Sequence, residues 1–163
     1  MKIKRIAPLL VLALLMFSCS SDGIDDNQQI DAKSNSKERP FKVRGSGDFA
    51  VEAPTECAPL VQIGLQGGGN GTHIGNFSVA LTWCTDFAGT ESITGVVTAA
   101  NGDELNIYLT GSDAEAGYGD YAIDGGTGRF AEASGAFRLF TTTVFTGEGV
   151  GTYSNYGSGY IVY

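Results

Sequence analysis

Apolar and polar residues alternate along much of the chain beyond residue 40, with the period of two that indicates strands. The clearest run extends from His73 to Cys84, and one side of it carries large apolar side chains: Phe77, Val79, Leu81 and Trp83. No segment shows a sustained helical period. The pattern predicts strands near residues 41–51, 59–67, 72–84, 92–100, 103–111, 118–124, 136–146 and 148–163.

Short turns rich in glycine or polar residues separate most of these segments. Asn101-Gly102 predicts a two-residue hairpin turn, because both residues tolerate the positive φ that such a turn requires. Sequential strands without helices predict an all-β domain, an eight-stranded antiparallel up-and-down β-barrel, whose closure removes exposed sheet edges. A sandwich of two sheets is the structural alternative.

The N-terminal region has the order of an export signal. Residues 2–5 are mostly basic, residues 6–17 are largely apolar, and a polar, acidic stretch follows Cys19. The apolar run is too short for a permanent membrane span but suits a cleaved signal. We therefore expect a signal peptide at 1–18, a flexible tether at 19–40 and a β-barrel domain at 41–163.

The segment Leu15–Cys19 resembles the lipobox of bacterial lipoproteins, although Met16 and Phe17 stand where leucine and a small residue are more usual. The resemblance implies that Cys19 is lipidated, with palmitate among its acyl chains, and anchors an outer membrane lipoprotein on the periplasmic side or the cell surface. An ordinary signal peptide with an incidental cysteine is the alternative. Residues 20–26 also resemble the surface-export signal of some Bacteroidetes lipoproteins, and a solvated linker explains them equally well.

Charge and cysteine content narrow the classes of partner. Residues 41–163 contain thirteen acidic and four basic residues, so we expect no nucleic acid partner. Once Cys19 is lipidated, Cys57 and Cys84 remain as an even pair in an oxidising compartment, which predicts a disulfide bond. Two buried free thiols are the alternative.

The sequence contains few elements of known catalytic or metal chemistry. His73 is the only histidine, which excludes zinc sites built from several histidines. We find no nucleophile elbow and no calcium-loop spacing among the carboxylates. The glycines at 125–128 are not followed by the Lys-Ser/Thr of a phosphate loop. We therefore expect no metal and no organic cofactor, and the catalytic residues, if any, stay unknown.

Residues 97–105 and 123–135 resemble stretches of the allene oxide cyclase-like and dirigent-like β-barrel superfamily, where an Ala-Asn-Gly-Asp-like hairpin precedes a Gly-Gly-Thr-Gly-Arg-Phe segment. The resemblance implies a barrel with an apolar cavity, and it carries no catalytic residue over to this chain. The shared residues have structural roles in turns: Asn101, Gly102, Gly125, Gly126 and Gly128. We expect Phe130 to plug one end of the barrel, with Ala131 and Ala133 packed beside it.

These features favour a membrane-anchored extracytoplasmic barrel that binds a small apolar or amphipathic ligand, or a partner protein. The candidate ligand-binding residues are Phe77, Leu81 and Trp83, although strand aromatics either line a cavity or fill a solid core. A cofactor-free cyclase or isomerase is one alternative. A structural or glycan-contacting surface protein is another, suggested by four C-terminal tyrosines: Tyr153, Tyr156, Tyr160 and Tyr163. The ligand, any catalytic activity and the oligomeric state stay open.

Overall fold

A computed structural model describes residues 37–163, which form eight strands and one short 3₁₀ turn at Gly128–Phe130. The strands are β1 (Arg39–Glu52), β2 (Val61–Gly71), β3 (Gly75–Thr85), β4 (Glu91–Ala99), β5 (Glu104–Asp113), β6 (Tyr118–Gly126), β7 (Ser134–Gly147) and β8 (Val150–Val162). The predicted signal peptide, Cys19 and most of the tether lie outside the described residues. Within residues 37–163, no helix is long and apolar enough to cross a membrane.

Each strand pairs antiparallel with the next, and β8 pairs with β1, so the sheet is closed. The predicted all-β, eight-stranded up-and-down barrel is confirmed, and the two-sheet sandwich is wrong. We name the two ends of the barrel by their connections. The mouth end carries residues 53–60, 86–90, 114–117 and 148–149, and the closed end carries residues 72–74, 100–103 and 127–133.

Four glycines form one part of the inner wall, which we name the glycine wall. Gly45 and Gly47 of β1 pair across the sheet with Gly69 and Gly67 of β2. Their missing side chains leave room for two rings, because a Cβ at Gly69 would come within 2.9 Å of the Phe77 ring and one at Gly67 within 2.6 Å of the Tyr153 hydroxyl oxygen. Small residues opposite large ones allow a narrow barrel to pack.

The connection between β2 and β3 is shorter than the sequence predicts. The predicted strands at 59–67 and 72–84 leave residues 68–71 as a connection, since glycine has little preference for strands. These residues instead complete β2, and the turn to β3 contains Thr72, His73 and Ile74. His73 has a positive φ of 69° there, and its backbone oxygen accepts a hydrogen bond from Arg129 at 2.6 Å. The histidine therefore lies in a turn of the closed end.

The predicted two-residue turn at Asn101-Gly102 is also wrong. β4 ends at Ala99 and β5 begins at Glu104, so the connection spans residues 100–103. Gly102 donates to the Ala99 oxygen at 2.9 Å and has a φ of 86°, whereas Asn101 has no positive φ. The result is the longer hairpin in which one glycine in the left-handed region follows an ordinary turn.

Phe130 closes one end of the barrel, as predicted. Its side chain is fully buried, and its ring contacts that of Tyr163 with centroids 5.2 Å apart. The turn that carries Phe130 depends on Gly125 and Gly128, which have positive φ values of 70° and 56°. It also depends on Thr127, whose side-chain hydroxyl oxygen accepts a hydrogen bond from the backbone N–H of Glu104 at 2.9 Å. Ala133 is buried beside the ring, but Ala131 is exposed, because it lies on the outer side of the 3₁₀ turn.

The predicted disulfide bond joins Cys57 in the first mouth-end connection to Cys84 of β3, with 5.2 Å between the two Cα atoms. Its closure of a 27-residue separation is worth roughly 3–4 kcal/mol on the loop-entropy argument. Gln62 holds the same connection, since its side-chain oxygen accepts from the Glu56 backbone N–H at 3.0 Å. One side of the mouth is therefore fixed covalently.

We expect Phe130→Ala to lower the free energy of unfolding by about 3–5 kcal/mol, because it leaves a cavity where a fully buried ring had been. Chemical denaturation of both proteins measures the change. Phe87→Ala is the matched control, since that ring is 67% exposed, and it should cost less than about 1 kcal/mol. Equal losses in the two variants would contradict the assigned role of Phe130.

Candidate functional site

The barrel is packed at its closed end and open at its mouth. A cavity of about 300 Å³ lies inside the mouth end, with mainly apolar walls that include Leu65, Leu81, Trp83, Ile93, Leu109 and Leu139. A smaller void of about 50 Å³ lies deeper, among the buried side chains of the core. Leu81, Leu139, Tyr153 and Asn155 line both spaces, and so mark the floor of the cavity.

A carboxylate lies at the cavity wall near the mouth. Glu91 opens β4, and its side chain accepts hydrogen bonds from the indole nitrogen of Trp83 at 3.1 Å and from the hydroxyl of Ser112. The three residues come from neighbouring strands, β3, β4 and β5, so the closed sheet brings them together. Two donors from the protein orient the carboxylate at the edge of an apolar space.

Two tyrosines that line the same cavity, Tyr121 and Tyr153, have raised pKa values. Tyr121 of β6 stacks on Phe137 with centroids 5.5 Å apart. Burial first, and then the nearby acidic groups of Glu91 and Tyr153, raise the pKa of Tyr121 to about 12. Burial and the proximity of Asp48 also raise the pKa of Tyr153 above its usual value. Both hydroxyls therefore keep their protons at neutral pH, so each has a hydrogen that it could donate.

The Tyr153 side chain lies across the barrel interior toward the glycine wall. It is only 4% exposed, and its hydroxyl is buried without a hydrogen-bond partner among the described residues. A Cβ at Gly47 would come within 2.8 Å of that hydroxyl oxygen. Buried hydroxyls are rarely left without a partner in folded proteins, so this group is the most unusual polar feature of the interior.

The three residues predicted to bind a ligand do not all reach the same space. Leu81 and Trp83 line the cavity at the mouth. Phe77, on the same face of β3, lies nearer the closed end and packs against Gly69 of the glycine wall. The row of side chains formed by Phe77, Leu81 and Trp83 on one face of β3 therefore extends from the core into the cavity.

Glu91, Tyr121 and Ser112 are not among the site residues that the sequence predicts. Their convergence depends on which strands become neighbours at the mouth, and period-two alternation does not supply that information. A usable signal was present, because Glu91, Ile93 and Val97 share one face of β4 and place a carboxylate in line with core residues.

The four C-terminal tyrosines do not form one surface. Tyr153 is inside the barrel, Tyr156 and Tyr160 are exposed on its outer wall, and Tyr163 packs on Phe130 at the closed end. Among residues 37–163, no group of three or more histidine, cysteine or carboxylate side chains is arranged to hold a metal ion.

Comparison of the sequence with models of protein families and with curated proteins gives no match. The solved structures that are similar to this one include those of the pterocarpan synthase dirigent proteins GePTS1 and PsPTS1. Each superposes with a TM-score of 0.51 and 12% sequence identity over 78% of this chain, which corresponds to 87% of GePTS1 and 96% of PsPTS1. The described domain therefore has the eight-stranded barrel fold of dirigent proteins, as the stretches at 97–105 and 123–135 had indicated.

Proposed function

We propose that this domain binds a small apolar or amphipathic molecule in the cavity at its mouth. The observation that carries the proposal is a mainly apolar space of about 300 Å³ whose lining includes a few polar residues, among them Glu91, Ser112 and Tyr121. Ligand sites in proteins typically combine a largely apolar lining with a small number of placed polar groups, and occupy roughly 300–1,000 Å³. The mouths of β-barrels are a frequent location for them.

The distribution of large side chains supports this proposal over a barrel that is solid throughout. Phe41, Leu105, Phe130 and Ile161 are buried and fill the closed end. The inward positions nearer the mouth include Gly119, Thr141 and Thr143, whose small side chains leave the cavity open. The same barrel thus has a core that stabilises it and a separate space for a ligand.

A cofactor-free cyclase or isomerase is the second candidate, and one observation favours it. Tyr121 is a protonated donor close enough to Glu91 for the carboxylate to raise its pKa, and both groups face the cavity. A donor beside a carboxylate suits proton transfer to and from a bound substrate. Two of the similar solved structures are named as pterocarpan synthase dirigent proteins, so synthase activity is associated with barrels of this fold.

We also propose that the mature protein is an outer membrane lipoprotein anchored through Cys19, facing the periplasm or the cell surface. The basic, apolar and cysteine order of the first 19 residues and the polar stretch behind it support this. An acyl anchor on a tether of about twenty residues would keep the barrel close to a membrane, where apolar molecules concentrate.

Ligand binding is testable by fluorescence, because Trp83 is the only tryptophan of the chain and lines the cavity. We expect apolar bicyclic compounds to change its emission saturably. Leu65→Phe enlarges a side chain inside the cavity and should weaken binding about tenfold or more. Val144→Phe is the control, since Val144 is 57% exposed, and should bind normally. Absence of a saturable change with every compound would contradict the proposal.

Anchoring is testable in cells that express the full chain. We expect Cys19→Ala to abolish labelling with a radioactive fatty acid and to move the protein from the membrane fraction to the soluble one, because no acyl group can then be attached. Ser20→Ala, one residue further on, should leave labelling and fractionation unchanged. Continued labelling of Cys19→Ala would show that the anchor is elsewhere or that the signal is of another kind.

A further inference from the structure

One carboxylate lies on the inner wall of the barrel, where a charged side chain is costly unless a partner compensates its charge. Glu91 is the first residue of β4, and it shares the inward face of that strand with Ile93 and the buried Val97. Its two hydrogen-bond donors, the Trp83 indole and the Ser112 hydroxyl, are both neutral. They orient the carboxylate without cancelling its negative charge.

The Glu91 carboxylate is able to accept further hydrogen bonds. Trp83 donates to Oε2 at 3.1 Å and Ser112 donates to Oε1, so each oxygen accepts one hydrogen bond from these neighbours. An ionised carboxylate has about four acceptor sites. After burial, the charge of Glu91 is the next cause of the raised pKa of Tyr121, which also lines the cavity. The negative charge therefore acts on the space that a ligand would occupy.

The described residues at the cavity and its entrance supply no compensating cation. Among those that line the cavity, Asp113 is a second carboxylate, and none is a lysine, arginine or histidine. The connections of the mouth end, residues 53–60, 86–90, 114–117 and 148–149, each contain one acidic residue and no basic one. A cation that approaches the mouth is therefore attracted along the entrance, whereas an anion is repelled.

One arginine approaches the cavity from the outer wall, but its charge is paired with another carboxylate. The Arg138 guanidinium lies 3.7 Å from the centroid of the Tyr118 ring, and Tyr118 lines the cavity. The Nε and Nη2 atoms of Arg138 donate to the two oxygens of Asp120, at 2.7 and 2.8 Å. This bidentate pair lies on the outer wall, so Arg138 does not neutralise Glu91.

From these observations we infer the chemical class of the ligand: an amphipathic amine, with a compact apolar body and one positively charged ammonium group. The apolar body enters the cavity and packs against Leu81, Leu109 and Leu139. The ammonium group stays at the mouth, where it donates a hydrogen bond to Glu91. This inference rests on the proposed binding function, and it adds the charge and the orientation of the ligand.

The size of the cavity restricts the apolar body. A volume of about 300 Å³ is at the lower end of the roughly 300–1,000 Å³ that is typical of small-molecule sites. Two fused rings match this space better than a long acyl chain. Leu81, Leu139 and Asn155 form the floor that limits the depth of the rings, and Glu91 lies at the mouth end of β4. A short link between the rings and the amine therefore suffices.

Three compounds with the same two rings and different charges test this class: naphthylmethylammonium, naphthylmethanol and naphthoate. Titration calorimetry of the purified protein at neutral pH should show the ammonium compound binding at least about tenfold more tightly than the alcohol, the gain expected from one hydrogen bond to a charged group. Naphthoate should bind at least about fivefold more weakly than the alcohol, because the acidic mouth repels it. Equal affinities for the ammonium compound and the alcohol would overturn the inference while leaving the proposed binding function intact. Failure of all three to bind would overturn both.

Two matched substitutions test the role of Glu91. Glu91→Gln removes the charge and keeps an oxygen that can accept from Trp83 or Ser112, so the ratio of ammonium to alcohol affinity should fall about fivefold or more. Glu132→Gln, exposed at the closed end, removes a charge far from the mouth and should keep the wild-type ratio. A ratio that survives in Glu91→Gln, or that falls equally in Glu132→Gln, would contradict the assignment.

Discussion

The interior of a closed barrel of eight strands is only just wide enough for side chains to fill it, and the rest of this structure depends on that constraint. Because the width is fixed, the size of the side chains at the inward positions determines whether that level of the barrel is filled or leaves a cavity. Phe41, Leu105, Phe130 and Ile161 occupy the closed end completely. Nearer the mouth, glycines and threonines replace large residues, and a cavity remains.

The glycine wall shows how this constraint links stability to the site. Gly45, Gly47, Gly67 and Gly69 contribute no side chains, so the rings of Phe77 and Tyr153 can lie across them. Phe77 belongs to the core, whereas Tyr153 forms the floor of the cavity. A side chain at Gly47 or Gly67 would displace Tyr153 and change the cavity as well as the packing. The same four positions therefore serve both halves of the barrel.

Alternation and turn chemistry predicted the strand count, the barrel and the buried Phe130, because those features depend on local pattern. The pattern did not predict that residues 68–71 belong to β2, since strand pairing and the packing of the Phe77 ring on Gly69 depend on the folded barrel. It also did not predict the convergence of Glu91, Trp83 and Ser112, which depends on strand neighbours and register. The local sequence pattern thus predicts the strands, whereas the closed sheet brings the residues of the cavity together.

A crystal structure of the protein grown with an apolar bicyclic compound that changes the Trp83 fluorescence tests ligand binding in the mouth cavity most directly, because it shows both the occupancy of the cavity and the packing around it. We expect electron density for the compound inside the mouth end, in contact with Leu81, Trp83 and Leu109. We also expect the closed end around Phe130 to stay unchanged. A mouth end filled by the protein's own side chains, or a compound bound only to the outer wall, would contradict this account.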